Sequence, residues 1–272
     1  MKIIADVGGT RGRWVFINKS SKKIIETRGF NPYIHEINIL NKILKELNNS
    51  FEFDIIKEVK YYGAGINNYY SKKIVIDTLK ESFKVAEIEV FSDLLGSCQS
   101  LCNNKTGIVS ILGTGSNSCL YDGKKIINQI NSLGYLIGDE GSAYSLGKRF
   151  IKMHLRGEIS SEISKSFDRI NKDDKNYLSK IYDKNSYQWI TGLSKFIHDN
   201  KEEKSLKKMI FYHFDRYFDE IIVKYNYYKL YLTGSISYFF EKEIREVSKS
   251  HNIEIKKVIR DPIDHLVKYH VK

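Results

Sequence analysis

One local pattern occurs twice in this chain, and the repetition constrains the fold more than any other feature. Residues 106–121 read Thr-Gly-Ile-Val-Ser-Ile-Leu-Gly-Thr-Gly-Ser-Asn-Ser-Cys-Leu-Tyr. The apolar run from Gly107 to Leu112, with its β-branched residues, predicts a buried strand. It stops at Gly113-Thr114-Gly115-Ser116, where two glycines allow a sharp turn and a close approach of backbone to a ligand. Thr114 and Ser116 add hydroxyls, and consecutive backbone N–H groups in such a turn form an anion-binding concavity. The chain returns as a strand, Asn117 to Tyr121, and turns again at Asp122-Gly123. Residues 3–16, Ile-Ile-Ala-Asp-Val-Gly-Gly-Thr-Arg-Gly-Arg-Trp-Val-Phe, repeat the scheme around Gly8-Gly9-Thr10. Two such turns about a hundred residues apart predict two related halves, each offering a phosphate turn to one ligand. Asp6, at the end of the first strand, puts a carboxylate where a magnesium ion beside phosphates would need one.

Length and composition set the outer bounds. The 272 residues allow one large domain or two of ordinary size, and 42% hydrophobic residues suffice for a real core. No apolar run approaches the roughly 20 residues of a membrane span. The N-terminus enters a strand without a charged and apolar leader, and the three cysteines, Cys98, Cys102 and Cys119, suggest no disulfide framework. Both points lead to the expectation of a cytoplasmic protein without membrane attachment. The formal net charge of +11 could mark a nucleic-acid partner. The lysines are scattered as pairs such as Lys72-Lys73 and Lys256-Lys257, so a solvated surface is the better reading.

Taken in order, three further stretches carry candidate chemistry. After a strand from Lys22 to Arg28, Gly29-Phe30-Asn31-Pro32 breaks the chain, because proline pushes Asn31 to an extended conformation. The Asn31 amide can donate and accept, which suits a pair of sugar hydroxyls; on chemistry alone, a turn opening the helix of Ile34, Ile37, Leu40, Ile43, Leu44 and Leu47 is the better account. Asp93 follows a strand from Ala86 to Phe91, where open α/β sheets bind ligands; a helix cap at Ser92 or Asp93 fits too. Cys98 and Cys102 then fall on one helix face, as core packing. Beyond a strand from Lys124 to Gln129, Asp139-Glu140-Gly141-Ser142 opens a helix. Acidic residues in a first turn answer the helix dipole, yet glycines on both sides also suit closure on a compact polar ligand. The stretch from Phe150 to Tyr225 reads as mainly helical, and Tyr228 to Thr233 as a last long strand closed by Gly234-Ser235. A strand from Ile253 to Ile259 precedes a helix starting near Pro262.

Asp6-Val-Gly-Gly-Thr10, Leu112-Gly-Thr-Gly-Ser116 and Leu232-Thr-Gly-Ser235 resemble the two phosphate motifs and the adenosine motif of the actin-like sugar kinase and Hsp70 superfamily. Gly138-Asp-Glu-Gly-Ser142, Phe91-Ser-Asp93 and Gly29-Phe-Asn31-Pro are similar to the N-acetylglucosamine kinases, in the wider group of BadF/BadG-type ATPases. The resemblance runs from Met1 to about His270. It implies an α/β, two-domain actin-like ATPase fold of the ribonuclease H-like type, with an interdomain cleft. The first domain would span 1–105 and the second 106–272, with the C-terminal helix, about 262–270, packing back on the first.

The resemblance further implies ATP-dependent phosphorylation of an amino sugar, foremost N-acetylglucosamine at its 6-hydroxyl, with glucosamine or N-acetylmuramic acid as alternatives. Asp93 would be the base. ATP would contact Gly8, Gly9, Thr10, Arg11, Gly113, Thr114, Gly115, Ser116, Gly234 and Ser235, with Mg2+ near Asp6. The sugar would contact Asn31, Asp93, Leu133, Gly134, Asp139 and Glu140, in a homodimer. Relatives of this fold also activate reductases through a bridging iron–sulfur cluster, a role that needs exposed interface cysteines. Gly12 departs from the group, which usually has a hydroxyl residue there, and 272 residues is short for it.

Overall fold

Each half of the sequence folds around a five-stranded sheet of the same plan. The computed structural model describes residues 1–18, 21–171, 176–227 and 229–271. Two compact units divide the chain: residues 1–105, 123–125 and 261–272 form unit 1, and residues 106–122 and 126–260 form unit 2.

In unit 1 the strands are β1 (Lys2–Val7), β2 (Arg11–Ile17), β3 (Lys22–Arg28), β4 (Glu58–Gly63) and β5 (Glu87–Ser92), in the order β3-β2-β1-β4-β5. β1 and β2 pair antiparallel across the Gly8–Thr10 turn, whereas β1, β4 and β5 run parallel. One sheet face carries Ile3, Ala5 and Val7, packed with Leu40, Ile43, Leu44 and Leu47 of α1 (Asn38–Asn48) and Val75 and Leu79 of α2 (Tyr69–Ser82). The three- and four-residue spacing of the α1 leucines and isoleucine makes that stripe, and each fully buried side chain contributes about 1.5–3 kcal/mol. Ile4, on the opposite face, packs against Ile263, Leu266 and Val267. α1 starts later than the apolar spacing predicts: Ile34 and Ile37 are exposed and precede it. The backbone there is committed to a turn, in which Ile34 and His35 N–H donate to the Asn31 carbonyl.

Unit 2 repeats the plan with β6 (Gly107–Leu112), β7 (Ser116–Tyr121), β8 (Ile126–Ile130), β9 (Lys229–Thr233) and β10 (Glu254–Ile259), ordered β10-β9-β6-β7-β8. Tyr228, expected to open β9, lies outside the described residues. β8 begins two residues after the predicted start, because Gly123, at φ +100°, holds the hairpin turn open. Unit 1 closes with α3 (Asp93–Cys102), against which the C-terminal helix (Ile263–His270) packs. Cys98 and Cys102 are buried in α3.

The unit 2 helices are α4 (Gly134–Ile137), α5 (Ala143–Leu155), α6 (Ser161–Ile170), α7 (Tyr177–Tyr182), α8 (Ser186–Asp199), α9 (Lys204–Tyr217), α10 (Ser235–Phe239) and α11 (Glu241–Ser250). Leu206, Ile210, Phe214, Tyr217 and Phe218 of the α9 stripe are buried in one core with Phe150, Phe167 and Ile197.

Candidate active site

In unit 1 the site-forming residues gather where the parallel strands end. Asp6 is near the end of β1, Gly65 follows β4, and Asp93 follows β5. The C-terminal ends of parallel strands are the ligand edge of an open α/β sheet. The Gly8–Arg11 turn is braced from below: Gly29 N–H donates to the Thr10 carbonyl at 2.8 Å and Phe30 N–H to the Gly8 carbonyl at 3.0 Å. A Cβ on Gly29 would lie 2.1 Å from the Gly8 carbonyl oxygen, so only glycine fits beneath the turn. Gly8 and Gly9 have no such crowding, the nearest atoms to an added Cβ being at 3.4 and 4.0 Å.

Asn31 continues directly from this brace. Its Oδ1 accepts the Tyr33 N–H at 3.0 Å, which fixes the amide and leaves its N–H2 face as the donor toward a ligand. Gly65, at φ +75°, lies against that amide; a Cβ there would be 2.2 Å from Asn31 Oδ1. The Gly63-Ala64-Gly65 segment therefore positions Asn31, a role no local sequence signal discloses.

Asp6 and Asp93 are half-buried and close enough to feel each other's charge. Burial first, then the Asp93 and Asp261 charges, push the Asp6 carboxyl up to about 7, against a lowering pull from Arg13. Arg13 sits opposite Asp6 in the β1–β2 register, but its guanidinium is engaged by Asp261 and by Glu26. Burial likewise raises Asp93 to about 7, opposed by backbone N–H bonds from Leu94 and from Asp93 itself. The cap of α3 is Ser92, whose side chain accepts the Leu95 N–H at 3.2 Å. Asp93 Oδ1 in turn accepts the Leu94 N–H at 2.8 Å, so both residues of this dipeptide serve the start of α3, and Asp93 does so at the ligand edge of the sheet.

Among the described residues no three His, Cys, Asp or Glu side chains converge as a cation cage. The group suits Mg2+ all the same, since that ion takes one or two carboxylates and completes its shell with water and phosphate. Burial raises both carboxyls to about 7, and a bound cation would favour their ionised forms. The space of a side chain at Gly12 is taken by Thr27, whose Oγ1 would be 2.7 Å from an added Cβ. That hydroxyl accepts Trp14 Nε1–H at 3.1 Å and donates to the Arg28 carbonyl at 2.8 Å.

In unit 2 the corresponding edge carries Gly113–Ser116 after β6 and Gly234 after β9. Here the brace is a helix. Ala143 N–H donates to the Gly113 carbonyl at 2.9 Å and Tyr144 N–H to the Thr114 carbonyl at 3.2 Å, so the first turn of α5 is fastened to the Gly113–Ser116 turn. Gly234, at φ +110°, packs against Leu112, and a Cβ would sit 2.3 Å from the Leu112 carbonyl.

Asp139 is buried, at 6% exposure, and its Oδ1 accepts the Ser116 N–H at 3.3 Å. A Cβ on Gly115 would come 2.9 Å from Asp139 Oδ2. Gly113 and Gly115 do not adopt positive φ, so the expected sharp-turn role is replaced at Gly115 by room for this carboxylate. Asp139 itself has φ +58°, held by its N–H on the Ser132 carbonyl and its carbonyl on Ser142 N–H. Ser142 caps α5, accepting the Ser145 N–H, so Asp139 and Glu140 lie outside the helix that the sequence places them in. Burial raises the Asp139 carboxyl to about 6 against the Ser116 bond, with smaller opposing effects from Glu140 and Lys148.

Tyr187 is close enough for the Asp139 charge to act on its phenol, which burial already pushes upward. It stacks with Tyr144 and Tyr135, ring centroids 4.8–5.3 Å apart. Sequence reasoning passed over Tyr187, which comes from α8. Leu133, at φ +61°, and Gly134 are exposed, and an added Cβ on Gly134 meets nothing within 4 Å. Glu140 parts from Asp139 and lines a separate polar cavity with Arg149 and Arg216.

Two sheets of order β3-β2-β1-β4-β5 and its equivalent, each with a glycine turn between its first two strands, define the actin-like ATPase fold. The chain has that fold, and within it the likeness is to N-acetylglucosamine kinases. A candidate N-acetylglucosamine kinase from Porphyromonas gingivalis superposes with a TM-score of 0.93 at 28% identity, covering 99% of this chain and 98% of that one. A second such candidate, from Chromobacterium violaceum, gives 0.74 at 13% identity over 98% of each chain. A ROK family glucokinase from Streptomyces griseus, solved with glucose and AMPPNP, gives 0.56 at 12% identity, covering 98% of this chain and 97% of that one. No protein-family profile and no curated protein matches the sequence. No helix among the described residues is long and apolar enough to cross a membrane.

Proposed function

We propose that this chain is an ATP-dependent sugar kinase acting on an amino sugar, foremost N-acetylglucosamine, and yielding its 6-phosphate. The observation that carries this is Asp93: a half-buried carboxylate past the end of β5, beside a cap position filled by Ser92, with its pKa raised to about 7 by burial. A general base works best when its pKa lies near the working pH. In the reaction, a lone pair of the sugar hydroxyl oxygen forms the new bond to the γ-phosphorus. The hydroxyl proton passes to Asp93, and the bond to the bridging oxygen breaks to release ADP. Catalysis of this kind is chiefly positioning and charge stabilisation.

The backbone N–H groups of Gly8 to Arg11 and of Gly113 to Ser116 would take the phosphates, and Gly234 and Ser235 the adenosine. Mg2+, held through Asp6, would supply charge neutralisation on the phosphates. Asn31 would donate its amide to a sugar hydroxyl, and Asp139 would accept one while keeping the Ser116 N–H in place. Leu133 and Gly134 are proposed as contacts at the sugar's edge, whereas Glu140, expected beside them, lines the separate cavity. The alternative as an activator of a reductase is disfavoured by Cys98 and Cys102, which are at most 2% exposed and could not reach a bridging cluster without opening the core.

A coupled assay of ADP release with N-acetylglucosamine, glucosamine, N-acetylmuramic acid and glucose tests the reading. We expect Mg·ATP-dependent turnover with the highest kcat/KM for N-acetylglucosamine; absence of turnover with every amino sugar overturns it. Light scattering on the same sample reports whether the protein is the homodimer proposed with it.

A further inference from the structure

A cavity of about 330 Å³ lies wholly within unit 2, on the side of the 138–141 loop that Glu140 lines. Its wall is strongly polar and is built by that loop, by α5 and by α9. Three cations line it: Lys148, Arg149 and Arg216. The Arg149 guanidinium lies over the Tyr212 ring, 4.2 Å from its centroid, which fixes its plane. Arg216 is paired with Glu220, one helical turn on.

His213 also lines this cavity, at only 4% exposure, and its Nε2 has no hydrogen-bond partner among the described residues. Its other nitrogen is bonded to the Gly141 backbone in the sense that favours a protonated ring atom, so Nδ1–H donates to the carbonyl. Burial and the Arg149 charge keep the ring neutral at physiological pH, with a pKa down at about 3. Nε2 is then a buried acceptor on a residue of the cavity wall, and a buried acceptor without a donor calls for an explanation. Any O–H or N–H donor satisfies it, a ligand hydroxyl or a water alike. The cations, for their part, suit a phosphate.

We infer that this cavity binds a sugar phosphate, with the phosphomonoester on Lys148, Arg149 and Arg216 and hydroxyls donating to His213 Nε2 and the Glu140 carboxylate. The volume falls at the small end of ligand sites, which fits a phosphorylated monosaccharide. That the occupant is the enzyme's own product rests on the proposed kinase reading; the site itself does not. Glu140 and Gly141 adjoin Asp139 in sequence, so a ligand here acts on the loop that holds the second phosphate turn.

The test is a calorimetric titration of N-acetylglucosamine 6-phosphate into protein saturated with N-acetylglucosamine, so that the substrate position is taken. Parallel titrations use glucose 6-phosphate and inorganic phosphate. We expect binding at one site per chain, weaker for inorganic phosphate, and reduced about tenfold to a hundredfold in Arg149→Met. His213→Phe should lose affinity while its melting temperature holds or rises, because an unpaired buried nitrogen is replaced by carbon. If Arg149→Met does not fold by circular dichroism, Lys148→Met takes its place. No binding to the sugar-saturated protein, or equal binding by the folded variant, overturns the inference. Turnover plays no part in this measurement, so a protein without kinase activity that still binds sugar phosphate here defeats the functional reading and leaves this one standing.

Discussion

The two glycine turns share a topology and differ in how they are held. The Gly8–Arg11 turn is braced by backbone donors, Gly29 and Phe30, from beneath. The Gly113–Ser116 turn is gripped by the start of α5 and by one charged side chain, Asp139. The first turn's strictest glycine is consequently not in the turn at all but at position 29, and the second turn's Gly115 makes room for a carboxylate. A duplicated motif thus tolerates different supports, because a phosphate asks only for N–H groups at the right places and is indifferent to what fixes them.

The largest effect should come from Asp93, the carboxylate past β5 in unit 1. Asp93→Asn is expected to lower kcat about a hundredfold to ten-thousandfold with sugar affinity nearly intact. Turnover within threefold of wild type would remove Asp93 as the base.

Next, the supports can be exchanged against the turns. Asp139→Ala should weaken N-acetylglucosamine binding about tenfold to a hundredfold, through loss of a charged hydrogen-bond partner, and ATP binding by less, through the loosened Ser116. Sugar affinity unchanged with ATP affinity reduced would make Asp139 a brace only, and calorimetry with each ligand separates the two cases.

A third pair contrasts space with function in unit 1. Gly29→Ala should cost stability, since its Cβ would overlap the turn backbone, and should lower the melting temperature by several degrees. Gly9→Ala should leave the melting temperature close to wild type, where 4.0 Å of room exists, yet weaken ATP. If Gly9→Ala destabilises as much as Gly29→Ala, the bracing argument is wrong.

The smallest effect is on pH dependence. Asp6 and Asp93 have folded pKa values near 7, above the ordinary carboxylate value. The folded state therefore holds more protons than the unfolded one between about pH 4 and 7, and its stability falls as pH rises through that window. Asp6→Asn should flatten this decline in metal-free protein, as thermal melts at pH 5 and pH 8 would show. In the wild type, kcat/KM should rise with pH to a plateau above about 7. A melting temperature equally pH-dependent in Asp6→Asn would contradict the assigned shift.

The repeated strand–turn–strand pattern, the parallel-strand ends that carry Asp6 and Asp93, and the sugar kinase likeness were legible in the residues themselves. Local signals suffice for such features, since β-branched runs, glycine turns and caps act over a few neighbours. Asp139 shows the limit. Its spacing from Ser142 reads as helix capping, but the helix starts after it, and its left-handed conformation turns the carboxylate onto Ser116, 23 positions away. The same holds for Gly65 under Asn31, Asp261 beside Asp6, and Tyr187 beside Asp139. Sequence by itself determined which segments become strands and turns, because those depend on nearest neighbours along the chain. Only the tertiary structure decided which carboxylates share a field, which glycines are obligatory and where His213 points, because burial, charge and van der Waals contact act through space between residues whose separation in the chain carries no signal.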